Sequence, residues 1–104
     1  MGEADQRLSP AELELALANL PGWSVQAGKL HKQFQFADFG AALAFMVAGG
    51  LAAEKLNHHP EWTNVYNRVV VNLVTHDQGD SITRLDVALA VRLEACAGQQ
   101  KSAL

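Results

Sequence analysis

Cysteine is almost absent from this chain, since Cys96 is the single cysteine among 104 residues. An intrachain disulfide is therefore impossible, and a reducing compartment such as the cytoplasm is the expected location. Positive charge is also scarce: 8 Lys and Arg residues against 11 Asp and Glu residues give a net charge of -3, with no basic run. Such a surface does not predict a direct nucleic-acid partner.

Long apolar runs are missing as well. No window approaches the ~18 unbroken apolar residues of a membrane-spanning helix, and the first seven residues are too polar and acidic for a signal peptide. Apolar residues make up 49% of the chain and charged residues 18%, which is typical of a globular domain. We therefore expect one soluble, cytoplasmic domain over residues 1–104, with no membrane contact. Its core should lie at about 8–97, and the termini, including the polar tail 98–104, should fray.

Capping residues and helical periodicity predict three helices. Ser9, with Glu12 three positions later, forms a capping box at the start of the first helix, and a Pro-Gly pair ends it. Asp38 caps the second helix. This helix should continue to about Asn57, because the residue before Pro60 disfavours helical dihedral angles.

The second and third helices are both strongly apolar. The stripe of the second helix that should face the core consists of Phe39, Leu43, Met46, Val47, Gly50 and Leu51. We attribute its mid-helix pair Gly49-Gly50 to the close approach of another backbone rather than to a hinge. The third helix, capped by Ser81 or Thr83, is apolar almost all round over residues 85–93. Such a helix needs cover on more than one side, so a subunit interface is expected there.

Four strands complete the pattern as two hairpins. They are predicted at residues 23–25, 30–36, 62–66 and 69–76. The first hairpin turns at Gly28, which can take positive φ, and the second turns at Asn67-Arg68. Both faces of the last strand are partly apolar, so this strand should be central or covered by a partner subunit. The order α-β-β-α-β-β-α indicates an α+β fold, a four-stranded antiparallel sheet with the helices packed on one face.

Three of the four histidines lie near one another in this pattern. His58 and His59 are at the predicted end of the second helix, and His76 is at the end of the last strand. Imidazole has an unperturbed pKa of about 6.5, so it can exchange protons near neutral pH. The adjacent pair by itself is equally well explained as a positively charged helix cap. The third histidine, beside Thr75 and Asp77, favours a proton-transfer site provided that the fold joins the two segments.

Other polar and aromatic residues near the histidines leave alternatives open. Glu54 stands four residues before His58, so on a helix its carboxylate would be adjacent and could orient the imidazole; a solvated glutamate is the alternative. Asp86 either caps the last helix, in a capping-box arrangement, or closes a polar pocket. Trp62 and Tyr66 either pack in the core or an interface, or stack against a flat ligand.

A zinc site is the sharpest competing interpretation, since three histidines and Glu54 form a reasonable ligand set. Adjacent residues such as His58 and His59 usually point apart, however, and the H-x-x-x-H and H-x-H spacings are absent. We therefore expect no metal. Cys96 lies in an apolar helix, far along the chain from any histidine, and is not expected to be a nucleophile. Gly-rich phosphate loops and dinucleotide-binding fingerprints are also absent.

The histidines belong to three longer segments, Glu54-Lys55-Leu56-Asn57-His58-His59-Pro60-Glu61-Trp62, Asn64-Val65-Tyr66-Asn67 and Val69-Val70-Val71-Asn72-Leu73-Val74-Thr75-His76. Together they resemble the pterin-4a-carbinolamine dehydratase family. The resemblance covers roughly residues 8–97 and includes Gly22-Trp23, Phe34-x-Phe36-x-Asp38-Phe39, Phe45-Met46, Asp86 and Leu89-Ala90. His-His-Pro together with Thr-His at this spacing is a specific motif.

The resemblance implies a hydro-lyase acting on 4a-hydroxytetrahydropterin, the adduct left by aromatic amino acid hydroxylases. The products would be water and quinonoid dihydropterin, so the enzyme would recycle the pterin cofactor of those hydroxylases. Such a reaction needs an acid to protonate the 4a-hydroxyl and a base to take a proton from the ring. Imidazoles can fill both roles, each typically contributing about 10²- to 10⁴-fold. No electrons move, so neither a redox cofactor nor a metal is implied.

The resemblance also assigns roles by motif position. The catalytic set is His58, His59, His76 and Glu54, with His58 and His76 expected to transfer protons and His59 to bind and orient. The substrate-binding set is Asn57, Trp62, Thr75, Asp77 and Asp86. The family is known for tetramers built as dimers of dimers, so the resemblance implies a homo-oligomer, a dimer or a homotetramer. Some members also bind the dimerisation helix of a transcription factor. A non-catalytic, coactivator-like module is therefore the alternative, although retention of every acid–base residue favours the enzyme.

Two departures from the family pattern are visible. Several relatives carry Asp where this chain has Asn57, which removes a charge beside the first histidine. The loop between His76 and Asp86 is one residue longer than the pattern, with Asp80-Ser81 where Gly and an apolar residue are usual. The longer loop changes the surroundings of the residues at both of its ends.

Overall fold

The computed structural model describes residues 6–102, with side chains described for residues 6–100. The elements are α1 (Pro10–Ala18), β1 (Ser24–Gln26), β2 (Lys29–Gln35), α2 (Phe39–Leu56), β3 (Glu61–Val65), β4 (Arg68–Leu73), a short 3-10 helix (His76–Gln78) and α3 (Arg84–Ser102). All strands pair antiparallel in one sheet of order β1-β2-β4-β3. The predicted α+β fold is confirmed, and the last strand is central as expected.

The core lies between one face of the sheet and the helices α2 and α3. Along β2 and β4 successive side chains alternate between the two faces of the sheet. Those that point inward are buried: Leu30, Phe34, Val69, Val71 and Leu73. Phe45 of α2 packs on Phe34, with ring centroids 4.7 Å apart. Lys32, the charged residue on the inner face of β2, forms an ion pair with Glu94 of α3. The carboxylate of Glu94 therefore compensates the charge of the partly buried Lys32 ammonium.

The predicted caps and the first turn are confirmed. Ser9 accepts a hydrogen bond from the Glu12 N–H at 3.2 Å, and the Glu12 carboxylate accepts the Ser9 N–H at 2.8 Å. Asp38 accepts a backbone N–H of the first turn of α2 at 2.8 Å. In the turn between β1 and β2, both Ala27 and Gly28 take positive φ, 53° and 76°. These local devices determine where α1, α2 and the first hairpin begin.

The second hairpin differs from its prediction at the turn and at its end. Its turn is Tyr66-Asn67, between the paired residues Val65 and Arg68. Tyr66 has a φ of 52° and a side chain exposed to solvent, so it does not pack in the core. Strand β4 stops before His76, which instead begins the short 3-10 helix.

Helix α2 buries a different stripe from the predicted one. Its buried residues are Ala42, Phe45, Gly49 and Ala53, whereas Phe39, Leu43, Val47 and Leu51 of the predicted stripe are exposed. Small residues face α3 because the two helices approach closely. A Cβ atom on Gly49 would lie 2.7 Å from the Cδ2 atom of Leu93. The glycine therefore accommodates a side chain, not another backbone as predicted.

Helix α3 is mostly covered within the chain, by the sheet and α2. Leu89, Ala90 and Leu93 are fully buried, while Val91 remains exposed. The helix continues to Ser102 and so includes part of the tail for which fraying is predicted. Residues 1–5 and 103–104, the other parts of the predicted frayed termini, lie outside the described residues.

One described helix, α2, is long and apolar enough to cross a membrane when judged by length and composition alone. Core helices of soluble proteins meet the same criterion.

Candidate active site

The β3–β4 hairpin joins the two histidine-bearing segments. Its antiparallel register pairs Val65 with Arg68 and Glu61 with Asn72. Continued beyond the paired residues, the same register sets His58 opposite Thr75. The C-terminal end of α2 and the segment after β4 therefore lie side by side, which is the condition on which the proton-transfer interpretation depended.

Asn57 ends α2 directly before the two neighbouring histidines. It is the C-cap of α2, with a left-handed backbone (φ 50°, ψ 42°) and an N–H that donates to the carbonyls of Ala53 and Glu54. Asn is one of the few residues that adopt this conformation readily. The chain therefore leaves the helix sharply, and the His58 side chain is 10% exposed whereas that of His59 is 58% exposed.

Glu54 contacts His59, and not His58 as its spacing of four residues predicted. The Oε1 atom of Glu54 lies 2.9 Å from the Nε2 atom of His59, and both side chains are largely exposed. The prediction holds for two residues on a helix or in its final turn. Because Asn57 ends the helix first, helical spacing no longer decides which side chains meet. Exposed pairs of this kind contribute little to stability.

Asp86 is the carboxylate that contacts His58. Its Oδ1 atom lies 2.5 Å from the Nε2 atom of His58, and the Asp86 side chain is fully buried. Its Oδ2 atom accepts the Thr75 hydroxyl at 2.9 Å and the Thr83 N–H at 2.8 Å. A buried carboxylate needs such a complete set of donors. Asp86 therefore takes part in capping α3, as one alternative from the sequence expected, and it also contacts His58 from within the protein.

A series of hydrogen bonds behind His58 determines which atom donates and which accepts at each contact. The Leu85 N–H donates to Thr83 Oγ1 at 3.2 Å, and this atom lies 2.8 Å from Thr75 Oγ1, whose proton goes to Asp86. The carboxylate accepts, so Nε2 of His58 donates. Among the described side chains no buried nitrogen or oxygen lacks a partner. The Nδ1 atom of His58, which has none, is therefore accessible from the adjoining cleft.

His76 lies among charged groups on the exposed side of the site. Its Nδ1 atom is 2.6 Å from Asp80 Oδ1, and its Nε2 atom is 3.4 Å from Glu61 Oε2. The other Glu61 oxygen contacts the Lys29 ammonium at 2.6 Å. The hydrogen bond to Asp80, followed by the negative charges of Asp80 and Glu61, raises the pKa of His76; desolvation and Lys29 oppose the change. His76 therefore retains its proton to higher pH than a free imidazole does.

A cleft of about 370 Å³ lies between the two segments. Its lining combines apolar and polar side chains: Leu56, Asn57, His58, His59, Val74, Thr75, His76, Asp77 and Leu85. The volume falls within the range of small-molecule sites. Leucine and valine side chains can cover the face of a flat ring, while the histidines, Asn57 and Asp77 can reach its polar edge.

Three residues of the predicted site do not line this cleft. Asp86 lies behind His58, and Glu54 reaches the site through His59 alone. Trp62 is half-buried and packs on Phe45, with ring centroids 6.3 Å apart. The indole is therefore part of the core beside α2 and not a wall of the cleft, contrary to the expectation.

Sequence reasoning missed Glu61 and Asp80, the two carboxylates around His76. Asp80 belongs to the loop that is longer than the family pattern, and this departure was the available signal for it. Nothing in the sequence pointed to Glu61, because its contact with His76 depends on the way the chain turns after β4. Thr83 was considered only as a cap, although it also supports Asp86.

Other chemistry has little support among the described residues. They contain no group of three or more His, Cys, Asp or Glu side chains placed to bind a metal ion. Desolvation raises the pKa of the Cys96 thiol, while Arg92 acts weakly in the opposite direction. A thiol with a raised pKa stays protonated near neutral pH and is a poor nucleophile.

Comparison with known proteins agrees with the resemblance read from the motifs. The family model described as pterin 4 alpha carbinolamine dehydratase matches residues 6–96. A protein of Solibacter usitatus whose name assigns it to the pterin-4-alpha-carbinolamine dehydratases is 50% identical over 88% of this chain and 95% of its own length. A similarly named protein of Opitutus terrae is 47% identical over 84% of this chain and 90% of its own length.

A solved structure gives the same result for the fold. The crystal structure described as the transcriptional coactivator/pterin dehydratase of Brucella melitensis superposes with a TM-score of 0.84. It is 45% identical in sequence and covers 88% of this chain and 99% of its own. With the fold, the histidine motif and these matches in agreement, the chain belongs to the pterin-4a-carbinolamine dehydratase family, a family of hydro-lyases.

Proposed function

We propose that this protein dehydrates 4a-hydroxytetrahydropterin to quinonoid dihydropterin and water, and so recycles the pterin cofactor of aromatic amino acid hydroxylases. The observation that carries the proposal is the pairing of two histidines with different partners at one cleft. His58 donates Nε2–H to the buried Asp86, and His76 lies between the carboxylates of Asp80 and Glu61. One imidazole is thus prepared to accept a proton and the other to donate one.

In the proposed reaction, His76 is the general acid. Its raised pKa increases the fraction of His76 that is protonated near neutral pH, and Nε2 can transfer that proton to the 4a-oxygen of the pterin. The C4a–O bond then breaks and water leaves. His58 is the general base, because its Nδ1 atom carries the free lone pair and can take a proton from a ring nitrogen. Asp86 compensates the positive charge that develops on His58.

The remaining residues of the cleft would bind and orient the pterin. His59, oriented by Glu54, and Asn57 lie on one side, and Thr75 and Asp77 lie on the other. Asn57 and Asp77 suit the pattern of donors and acceptors along the edge of a pterin. Trp62 would act indirectly, by packing against the middle of α2 at Gly49 and Gly50. No group in this scheme requires a cofactor.

The test is stopped-flow absorbance of chemically generated 4a-hydroxytetrahydropterin, mixed with wild type, His58→Ala or His76→Ala, each with and without EDTA. We expect wild type to accelerate dehydration equally with and without EDTA, and each variant to lose about 10²- to 10⁴-fold in kcat. His31→Ala is the matched control, because His31 pairs with Asn72 on strand residues that do not line the cleft. A folded wild type that does not accelerate dehydration would refute the proposal.

We also propose a homo-oligomer, a dimer or tetramer, located in the cytoplasm. The support for assembly is the row of exposed apolar side chains along α2, namely Phe39, Leu43, Val47 and Leu51. Contiguous apolar surface of this kind is typical of protein interfaces. The single cysteine of the chain suits a reducing compartment.

The same row of α2 supports a second candidate function, the binding of another protein. The Brucella melitensis protein is described as a coactivator as well as a dehydratase. This face of α2 could bind a helix of a partner protein in the same way as it could bind a second copy of the chain. If the stopped-flow assay shows no dehydration, binding would be the remaining function to test.

A further inference from the structure

We propose that Asp80 is a positioning residue for His76: it accepts the hydrogen of Nδ1, so that Nε2 carries the proton directed at the substrate. The proposal rests on the proposed dehydration and assigns a role to a residue of the loop that departs from the family pattern. Asp80 does not touch the cleft; it would act only through His76.

The backbone places Asp80 beside His76. Thr75 and Ser81 form an antiparallel bridge, with N–O distances of 2.9 Å and 3.2 Å in the two directions. His76 and Asp80 are the first and last residues of the loop that this bridge closes, so their side chains leave the chain close together. Thr75 and Ser81 are both buried. The juxtaposition therefore follows from a closed loop and not from the chance orientation of two exposed side chains.

The conformation of the loop selects the residue type at position 80. Gly79 and Asp80 both have left-handed backbones, with φ of 67° and 56°. Asp and Asn adopt this region more readily than other non-glycine residues, because their short polar side chains can hydrogen-bond locally. The residue that stands in place of the usual Gly is thus one that can adopt the turn and also present a carboxylate to His76.

The charged groups around His76 come from three elements. Asp80 lies on the loop, Glu61 on β3 and Lys29 on β2. Asp80 makes the short contact, 2.6 Å, whereas Glu61 lies 3.4 Å from Nε2, beyond ordinary hydrogen-bond distance, and is paired with Lys29. Nδ1 is consequently occupied, and Nε2 is the ring nitrogen that a substrate in the cleft can engage. The raised pKa of His76 agrees with this arrangement.

The test combines NMR titration of the His76 ring in the intact protein with the pH dependence of kcat/KM. Asp80→Asn keeps a residue that tolerates the left-handed backbone and removes the charge, and Asp80→Gly removes the side chain from the same backbone. We expect both variants to lower the pKa of His76 and to move the alkaline limb of kcat/KM to lower pH. Lys29→Met should change both quantities in the opposite direction, because Lys29 opposes protonation of His76.

Asp38→Asn is the matched control, since it makes the same chemical change at the N-terminal end of α2, whereas the cleft adjoins the C-terminal end of that helix. Changes in the Asp80 variants no larger than in this control would overturn the proposal. A lowered pKa of His76 with an unmoved alkaline limb would also overturn it, because Asp80 would then not act on the reaction. If wild type fails to dehydrate the pterin, the proposed function fails, and the NMR titration still reports whether Asp80 controls His76.

Discussion

Replacing the buried Asp86 with asparagine should reverse the tautomer of His58 while leaving the fold largely intact. The Oδ2 atom of Asp86 accepts two donors, the Thr75 hydroxyl and the Thr83 N–H. The amide oxygen of Asn would take this place, since an NH2 group there would face two donors. The NH2 group would then take the place of the Oδ1 atom, which lies 2.5 Å from Nε2 of His58 in the wild type. Nε2 would have to accept, which moves the ring proton to Nδ1, the atom available to the cleft.

The magnitude follows from the role that is lost. With a proton on Nδ1, His58 can no longer act as a base, so we expect kcat to fall by about 10²- to 10⁴-fold. The free energy of unfolding should fall by roughly 1.5–3 kcal/mol. The loss is limited because one charge-assisted hydrogen bond is replaced, while the two donors to the side chain remain satisfied. KM should change little, since Asp86 does not line the cleft.

The measurement is stopped-flow dehydration together with the 15N shifts of the His58 ring, which distinguish the two neutral tautomers. Asp38→Asn is the matched control: it makes the same chemical change at an exposed helix cap, where Asn is as good a cap as Asp. A folded Asp86→Asn protein with wild-type kcat would refute the reasoning. Loss of activity without a change of tautomer would show that the carboxylate acts by charge rather than by orienting the ring.

Two further predictions concern α2. Gly49→Ala should destabilise the protein by on the order of 1 kcal/mol, because the new Cβ atom would lie 2.7 Å from Leu93. Overpacking typically costs about 1–3 kcal/mol, and the better helix propensity of Ala offsets about 1 kcal/mol of this. Gly50→Ala should instead stabilise the protein by up to about 1 kcal/mol, because a Cβ atom there would lie 4.0 Å from the Trp62 ring. Urea titrations that give the two variants the same stability would contradict this account. Val47→Asp should produce a smaller species in light scattering with unchanged circular dichroism, whereas Leu15→Asp, at an exposed apolar position of α1, should leave the mass unchanged.

The local sequence determined where most elements begin and end. The Ser9–Glu12 box and the Asp38 cap start their helices because each side chain bonds a backbone N–H within one turn. Alternation in β2 identified its buried face, since successive side chains of a strand point to opposite sides. The motif around His58 and His76 identified the family, and both residues line the cleft. Each of these features depends on residues near one another in the chain.

Tertiary structure decided which groups meet. Glu54 was four residues from His58, yet the partner of His58 is Asp86, 28 residues away, because Asn57 turns the chain out of the helix before the helical spacing applies. The pairing of His76 with Asp80 likewise depends on the closed loop after β4. Spacing along the chain cannot show such contacts.

The buried face of α2 was also a tertiary decision. Because this helix is apolar nearly all round, hydrophobic periodicity did not distinguish its two neighbouring stripes. Close packing against α3 selected the stripe with Ala42, Gly49 and Ala53, since only small side chains fit where Leu93 approaches. The sequence by itself therefore determined the elements, the family and the histidine set. The three-dimensional packing determined the partner of His58 and the apolar face left exposed, because both depend on steric fit between distant segments.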